Sequence, residues 1–170
     1  MSALGSAIHN CIAYFLASKG KATTEALTSV LARWRVGEAV EASAVLAQAQ
    51  ALMSWMDTKW PGARIWTELP IEVRLKSGRV ARGQVDLLVE LPAGWVLVDH
   101  KSDPRSAVED NRLAEVHGPQ LDTYAQAVHE ATGRDVVERW LFLPVAAQAV
   151  KIGAASVPPV ERGEVAATAL

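Results

Sequence analysis

The chain has 170 residues, half of them hydrophobic and 21% charged, with a formal net charge of −2. That size and balance fit one globular domain and exclude a disordered chain, and no apolar run reaches the ~18 residues needed to span a bilayer. The single cysteine, Cys11, excludes an intrachain disulfide framework and any multi-cysteine zinc or iron–sulfur site within the chain. The slightly acidic balance also argues against coating nucleic acid by bulk attraction, though not against touching phosphate locally. Residues 1–18 are apolar but hold His9 and Asn10 and lack a basic start, so they do not read as a signal peptide. A cytoplasmic protein with no membrane partner is the expectation.

The first 60 residues carry helical spacing. Leu4, Ile8, Cys11, Ile12, Phe15 and Leu16 recur at three and four, which sets them on one helical face. Lys19-Gly20-Lys21 ends that helix, and Thr23-Thr24-Glu25 reads as the cap of a second one through Leu27, Val30, Leu31 and Trp34. A third helix is expected from about Glu38 to Lys59, closed by Pro61-Gly62.

The texture then changes to strand. Ile65, Thr67, Leu69, Ile71, Val73 and Leu75 alternate, and Pro70 demands an edge position or a bulge. Ser77-Gly78 reads as a hairpin turn into a second strand, Val80 to Leu91, bent near Gly83. After the turn Pro92-Ala93-Gly94, the run Trp95-Val96-Leu97-Val98 suits a strand buried on both faces. Residues 105–116 are polar and fit a helix or an ordered loop. Pro119 to Ala131 is a clearer helix, with Leu121, Tyr124, Ala125 and Val128 in one stripe and Gly133 as its stop. Val136 to Leu143 makes a further strand and Val150-Lys151-Ile152 a last one. The order implies an α/β fold with a central mixed sheet flanked by helices and an N-terminal helical segment. We expect a single domain over 1–152, with 1–60 helical and 64–152 the sheet core, and a poorly ordered tail over 153–170.

Chemistry concentrates in Gly83-Gln84-Val85-Asp86-Leu87 and Val96-Leu97-Val98-Asp99-His100-Lys101-Ser102. A carboxylate among apolar strand residues is costly unless something compensates it. Asp86 and Asp99 lie on consecutive strands, and Asp99 and Lys101, two apart, share a strand face. Two carboxylates and an ammonium on one face suit a hard divalent ion held by oxygen ligands. Each piece alone has a plainer reading: an Asp ending a strand is commonly a turn former, and Asp-x-Lys a solvated strand end. The combination is rarer than its parts.

At these residues the sequence resembles the PD-(D/E)XK nucleases, and within them the C-terminal nuclease domain of AddA- and RecB-type helicase–nucleases. Five segments match in order: Gly5-x-x-x-His9, Glu68-Leu69-Pro70, Gly83-Gln84-Val85-Asp86, Asp99-His100-Lys101-Ser102, and Gln120-x-x-x-Tyr124. They cover about residues 3–145. The resemblance implies a restriction-endonuclease-like core. Two departures stand out. His100 replaces the tyrosine common between the acid and the lysine, and the cysteines that hold an iron–sulfur cluster in some relatives are missing, so no cluster is expected.

The resemblance also implies roles. Asp86, Asp99, His9 and the backbone carbonyl of His100 would bind Mg²⁺ or Mn²⁺. Lys101 would position or activate the attacking water, and Glu68 would hold a second metal or a water. Gln120 and Tyr124, four apart on one helical face, would reach the substrate or the lysine. His9 read without the resemblance is a packed helix residue, and Tyr124 is as well explained by core packing. Arg79 and Arg82 are candidate phosphate contacts: over residues 62–105 seven basic residues face six acidic ones, against three and seven over 106–139. The implied activity is metal-dependent, exonucleolytic hydrolysis of DNA, in a domain joined to or beside a helicase motor and acting in end processing, recombination and repair. The alternative is an inactive nuclease fold serving as a DNA- or helicase-binding module, and junctions or RNA remain open as substrates.

Overall fold

The structure, a computed structural model, describes residues 3–74, 80–101 and 110–153. Three helices come first: α1 (Ala3–Ala17), α2 (Thr24–Arg33) and α3 (Ala42–Lys59). A meander of β1 (Arg64–Arg74), β2 (Val80–Leu91) and β3 (Gly94–His100) follows. Helix α4 (Asp110–Thr132) then leads to β4 (Val136–Leu143) and β5 (Gln148–Ile152). The five strands form one sheet in the order β1-β2-β3-β4-β5; β3 and β4 run parallel, and the other pairs antiparallel. The α/β, restriction-endonuclease-like architecture is the expected one. Among the described residues no helix is long and apolar enough to cross a membrane.

The sheet separates two cores. On one side Ile12, Leu27, Leu31, Leu52 and Met56 of α1–α3 pack on Leu87, Val89, Val96, Val98 and Phe142. On the other, Leu121 and Val128 of α4 pack on Val85, Leu88, Leu97, Leu141 and Leu143. Every residue of β3 is buried, as its unbroken apolar run requires. Burying a Leu or Val side chain contributes roughly 1.5–3 kcal/mol, so both cores depend on the sheet that divides them.

Local signals explain most boundaries. The Thr23 hydroxyl accepts from Ala26 N–H and caps α2. Pro70 sits on β1, an edge strand, where its missing N–H removes no bond from a second neighbour. Gly94, at φ +148°, leaves room for the Asp135 carbonyl: a Cβ there would lie 2.4 Å from that oxygen.

Four details sharpen or depart from expectation. Helix α3 starts at Ala42 rather than Glu38, because Gly37–Val40 turn the chain back and Val36 and Val40 pack on the core. Helix α4, Asp110–Thr132, takes the helical alternative for residues 110–116 and runs on through Pro119, whose ring is exposed, so the carbonyl left without a partner one turn earlier can take water. Strand β2 runs unbroken past Gly83. The irregularity lies instead at Glu68 and Asp86, where both strands exchange faces. Ile65 packs toward α1–α3, but Leu69 and Ile71 toward α4; likewise Leu87 packs toward α1–α3, but Val85 toward α4. The Ser77-Gly78 turn, Arg79, residues 105–109 and the tail beyond Gly153 lie outside the described residues.

Candidate active site

Seven of the side chains named from the sequence line one cavity of about 340 Å³: His9, Glu68, Asp86, Asp99, Lys101, Gln120 and Tyr124. They arrive from α1, β1, β2, β3 and α4, so the cavity opens where the first helix and the fourth meet the sheet. Ser6, Asn10, Trp34 and Gln84 complete the lining.

The face exchange puts the acids there. Glu68 has φ +55°, a left-handed conformation rare for a residue with a side chain and costing of order 1–3 kcal/mol. In that conformation its carboxylate meets α1: Oε1 lies 2.7 Å from His9 Nε2, while the other oxygen accepts from the Gln84 amide. Across the strand pair, Asp86 Oδ2 accepts from the His100 backbone N–H at 2.6 Å and lies 3.7 Å from His9 Nδ1. The imidazole of α1 thus stands between two carboxylates.

On β3, alternation sends Asp99 and Lys101 toward α4 and His100 toward α1. Lys101 Nζ lies 2.8 Å from Asp99 Oδ2 and donates to Gln120 Oε1 at 3.1 Å. The Gln120 amide donates in turn to Tyr124 Oη at 2.8 Å. One turn of α4 separates the two, and Gly83 gives the tyrosine ring its seat: a Cβ there would lie 3.0 Å from Cε1. The Lys101 backbone N–H donates to the Phe142 carbonyl at 2.9 Å, which anchors the strand end.

Burial and charge shift the ionisable groups. Asp86 is pushed up to about 6, first by burial and then by the negative charge of Asp99. His9 is raised, chiefly by its bond to Glu68, against the opposing effect of burial. The His100 ring is lowered to about 3, because it is buried and sits near the cations of His9 and Lys101.

The donor chemistry fits a divalent ion. His9, Asp86 and His100 each offer a ligand atom, all within 4.8 Å of one another. The buried His9 Nδ1 has no hydrogen-bond partner, as expected of an atom waiting for a ligand. This trio differs from the set the resemblance implied, since His100 enters through its ring and Asp99 is held by Lys101. Arg82 is exposed and paired with Glu72 at 2.8 Å, away from the cavity lining.

Some lining residues escaped the sequence reading. Gln84 lies inside the Gly83–Asp86 motif and Asn10 beside His9, so adjacency was a usable signal. Trp34 had none: its place depends on how α2 packs against α1 and α3.

Three curated relatives, each named as a subunit of an ATP-dependent helicase/nuclease, match part of the chain. That of Clostridium novyi (strain NT) is 33% identical over 79 residues, covering 46% of this chain and 6% of that protein. That of Desulforudis audaxviator (strain MP104C) is 36% identical over 93 residues, 52% of this chain and 8% of that protein. That of Carboxydothermus hydrogenoformans is 34% identical over 91 residues, 46% and 8%. The chain thus spans less than a tenth of the length of the curated relatives it matches. A family model covers far more of it, residues 1–168, and with the fold above it establishes that the chain belongs to the PD-(D/E)XK nuclease superfamily.

Proposed function

We propose that this chain is a metal-dependent DNA nuclease domain that works joined to or beside a helicase motor in DNA end processing, recombination and repair. The observation that carries the reading is the convergence of His9, Glu68, Asp86, Asp99, Lys101, Gln120 and Tyr124 in one cavity. The names of the relatives support the link to a helicase.

His9, Asp86 and a donor from His100 would hold Mg²⁺ or Mn²⁺, with Asp99 beside them as the partner of Lys101. Bound there, the ion would supply a more acidic water and offset charge on the phosphate. Lys101, fixed between Asp99 and Gln120, directs its ammonium into the cavity as a compact charge against a phosphate oxygen and orients the water that attacks it. Gln120 and Tyr124 hold that lysine in one rotamer, so little reorganisation is left for the transition state. Glu68 keeps His9 facing Asp86 through the 2.7 Å contact and can accept a proton from a passing water. Exonucleolytic cutting is our reading of the mode of cleavage.

The test is cleavage of linear DNA by the purified chain with Mg²⁺ or Mn²⁺, alongside Asp99→Ala and Lys101→Ala. We expect cutting by the parent and a loss of at least about 100-fold in each variant. No cutting in the parent, or undiminished cutting in both variants, overturns the reading; retained DNA binding without cutting would instead identify a binding module.

A further inference from the structure

His100 is the residue that the described structure leaves least satisfied. It is 5% exposed, and neither ring nitrogen has a hydrogen-bond partner among the described residues. A neutral imidazole carries one N–H and one lone pair, so two polar needs go unmet at once. Packing does not require a histidine. The ring stands edge-on to Phe142 at 5.6 Å and to His9 at 5.5 Å, a seat that a phenyl or phenol ring fills as well. What an imidazole adds is a nitrogen donor, and it adds it beside a second one. His9 Nδ1 is also buried and unpartnered, 3.7 Å from Asp86 Oδ2. The donor atoms of His9, Asp86 and His100 lie within 4.8 Å of one another. Two ligands of one ion lie about 3 Å apart when adjacent and at most about 4.6 Å when opposite, at usual bond lengths of ~2.0–2.3 Å, so rotation of the three side chains brings their donors onto one ion.

We infer that the His100 imidazole is itself a metal ligand, which makes the site nitrogen-rich and selective for Mn²⁺ over Mg²⁺. This rests on the metal-dependent reading above and adds to it the identity of the ion. Mg²⁺ strongly favours oxygen donors and is reluctant to shed water. Mn²⁺ binds more tightly than Mg²⁺ to a mixed imidazole and carboxylate set, because transition ions accept nitrogen donors. A tyrosine or phenylalanine at position 100 would leave an oxygen-dominated site and remove the preference.

The test counts nitrogens on the metal in the whole chain. Mn²⁺ is bound to protein carrying ¹⁴N or ¹⁵N histidine, and pulsed electron paramagnetic resonance reads the nuclear modulation. We expect two imidazole nitrogens in the parent, and one in His100→Phe and His100→Tyr. The free Mn²⁺ signal and calorimetry with Mg²⁺ give the affinities. In those variants Mn²⁺ should bind roughly tenfold more weakly while Mg²⁺ changes less than about threefold. A single imidazole in the parent overturns the inference without need of any variant; so do folded variants with unchanged Mn²⁺ affinity. If the parent binds neither ion, the metal-dependent reading fails with it. If both ions bind, the parent shows one nitrogen and Asp86→Ala abolishes binding, only the role of the His100 ring fails.

Discussion

Asp86 and His100 are both buried ionisable groups, yet acid acts on them with opposite sign. Asp86 titrates at about 6 in the fold against an ordinary 3.8, so its ionised form costs stability above pH 6, and that cost falls away as pH drops from 6 toward 3.8. Asp86→Asn keeps an acceptor for the His100 N–H. It should stabilise the metal-free protein at pH 8 by roughly 1–3 kcal/mol in urea denaturation while abolishing cleavage. The His100 ring is held at about 3 against an ordinary 6.5, so the fold binds fewer protons there than the unfolded chain and loses stability as pH falls from 6.5 toward 3. His100→Phe should therefore flatten the acid limb of the stability curve, and Asp86→Asn should steepen it. Denaturation midpoints at half-unit steps from pH 4 to 7 check both signs. His9, raised by Glu68, contributes stability below its ordinary 6.5 that is lost as pH rises through its higher folded value. At this scale the sequence was informative where chemistry is local: Asp99 and Lys101 had to share a face, and they lie 2.8 Å apart. Alternation also sends the His100 ring to the opposite face, but its meeting with His9 there was not legible, because α1 lies far away in the chain.

The elements were legible in proportion to how local their causes are. The Thr23 cap, the fully buried β3 and the edge position of β1 all follow from short patterns. The first turns of α4 were legible only as helix or ordered loop, since a polar stretch before a proline lacks the apolar stripe that marks a helix. The face exchange at Glu68 and Asp86 escaped because alternation assumes a regular pleat, and a single left-handed residue breaks it. Two predictions belong here. Glu68→Gly suits the backbone at φ +55° but removes the carboxylate, so cleavage should fall at least tenfold while the melting temperature of the metal-free protein changes little. Gly83→Ala inserts a Cβ 3.0 Å from the Tyr124 ring and should unseat the Tyr124–Gln120–Lys101 chain. Its loss of cleavage should match that of Tyr124→Phe to within about threefold, and the double variant should be no worse than either single one. Initial rates on linear DNA would show it.

Across the whole molecule, the sheet is a partition with a core on each side. Leu87, Val89, Val96, Val98 and Phe142 would face water without α1–α3. A fragment of residues 64–153 should therefore fail to fold as a monomer, seen as lost near-ultraviolet circular dichroism and a non-cooperative melt. Trp55, Trp60 and Trp140 stack edge-to-face at 5.1–6.3 Å between α3 and β4, so Trp140→Ala should cost about 3–5 kcal/mol in chemical denaturation.

The contact between His9 and Glu68 has a bearing on the order of folding. It joins the first helix to a strand beyond two intervening helices, and the lysine it faces is braced by a helix that follows three strands. Contacts between positions so distant in the chain close late, because each must first overcome the entropy of the loop it seals. A ribosome would release α1 long before its carboxylate partners and α4 last among the parts of the centre. A chain synthesised only as far as β2 holds His9, Glu68 and Asp86 but lacks Asp99, Lys101, Gln120 and Tyr124, so the constellation assembles only once α4 has followed.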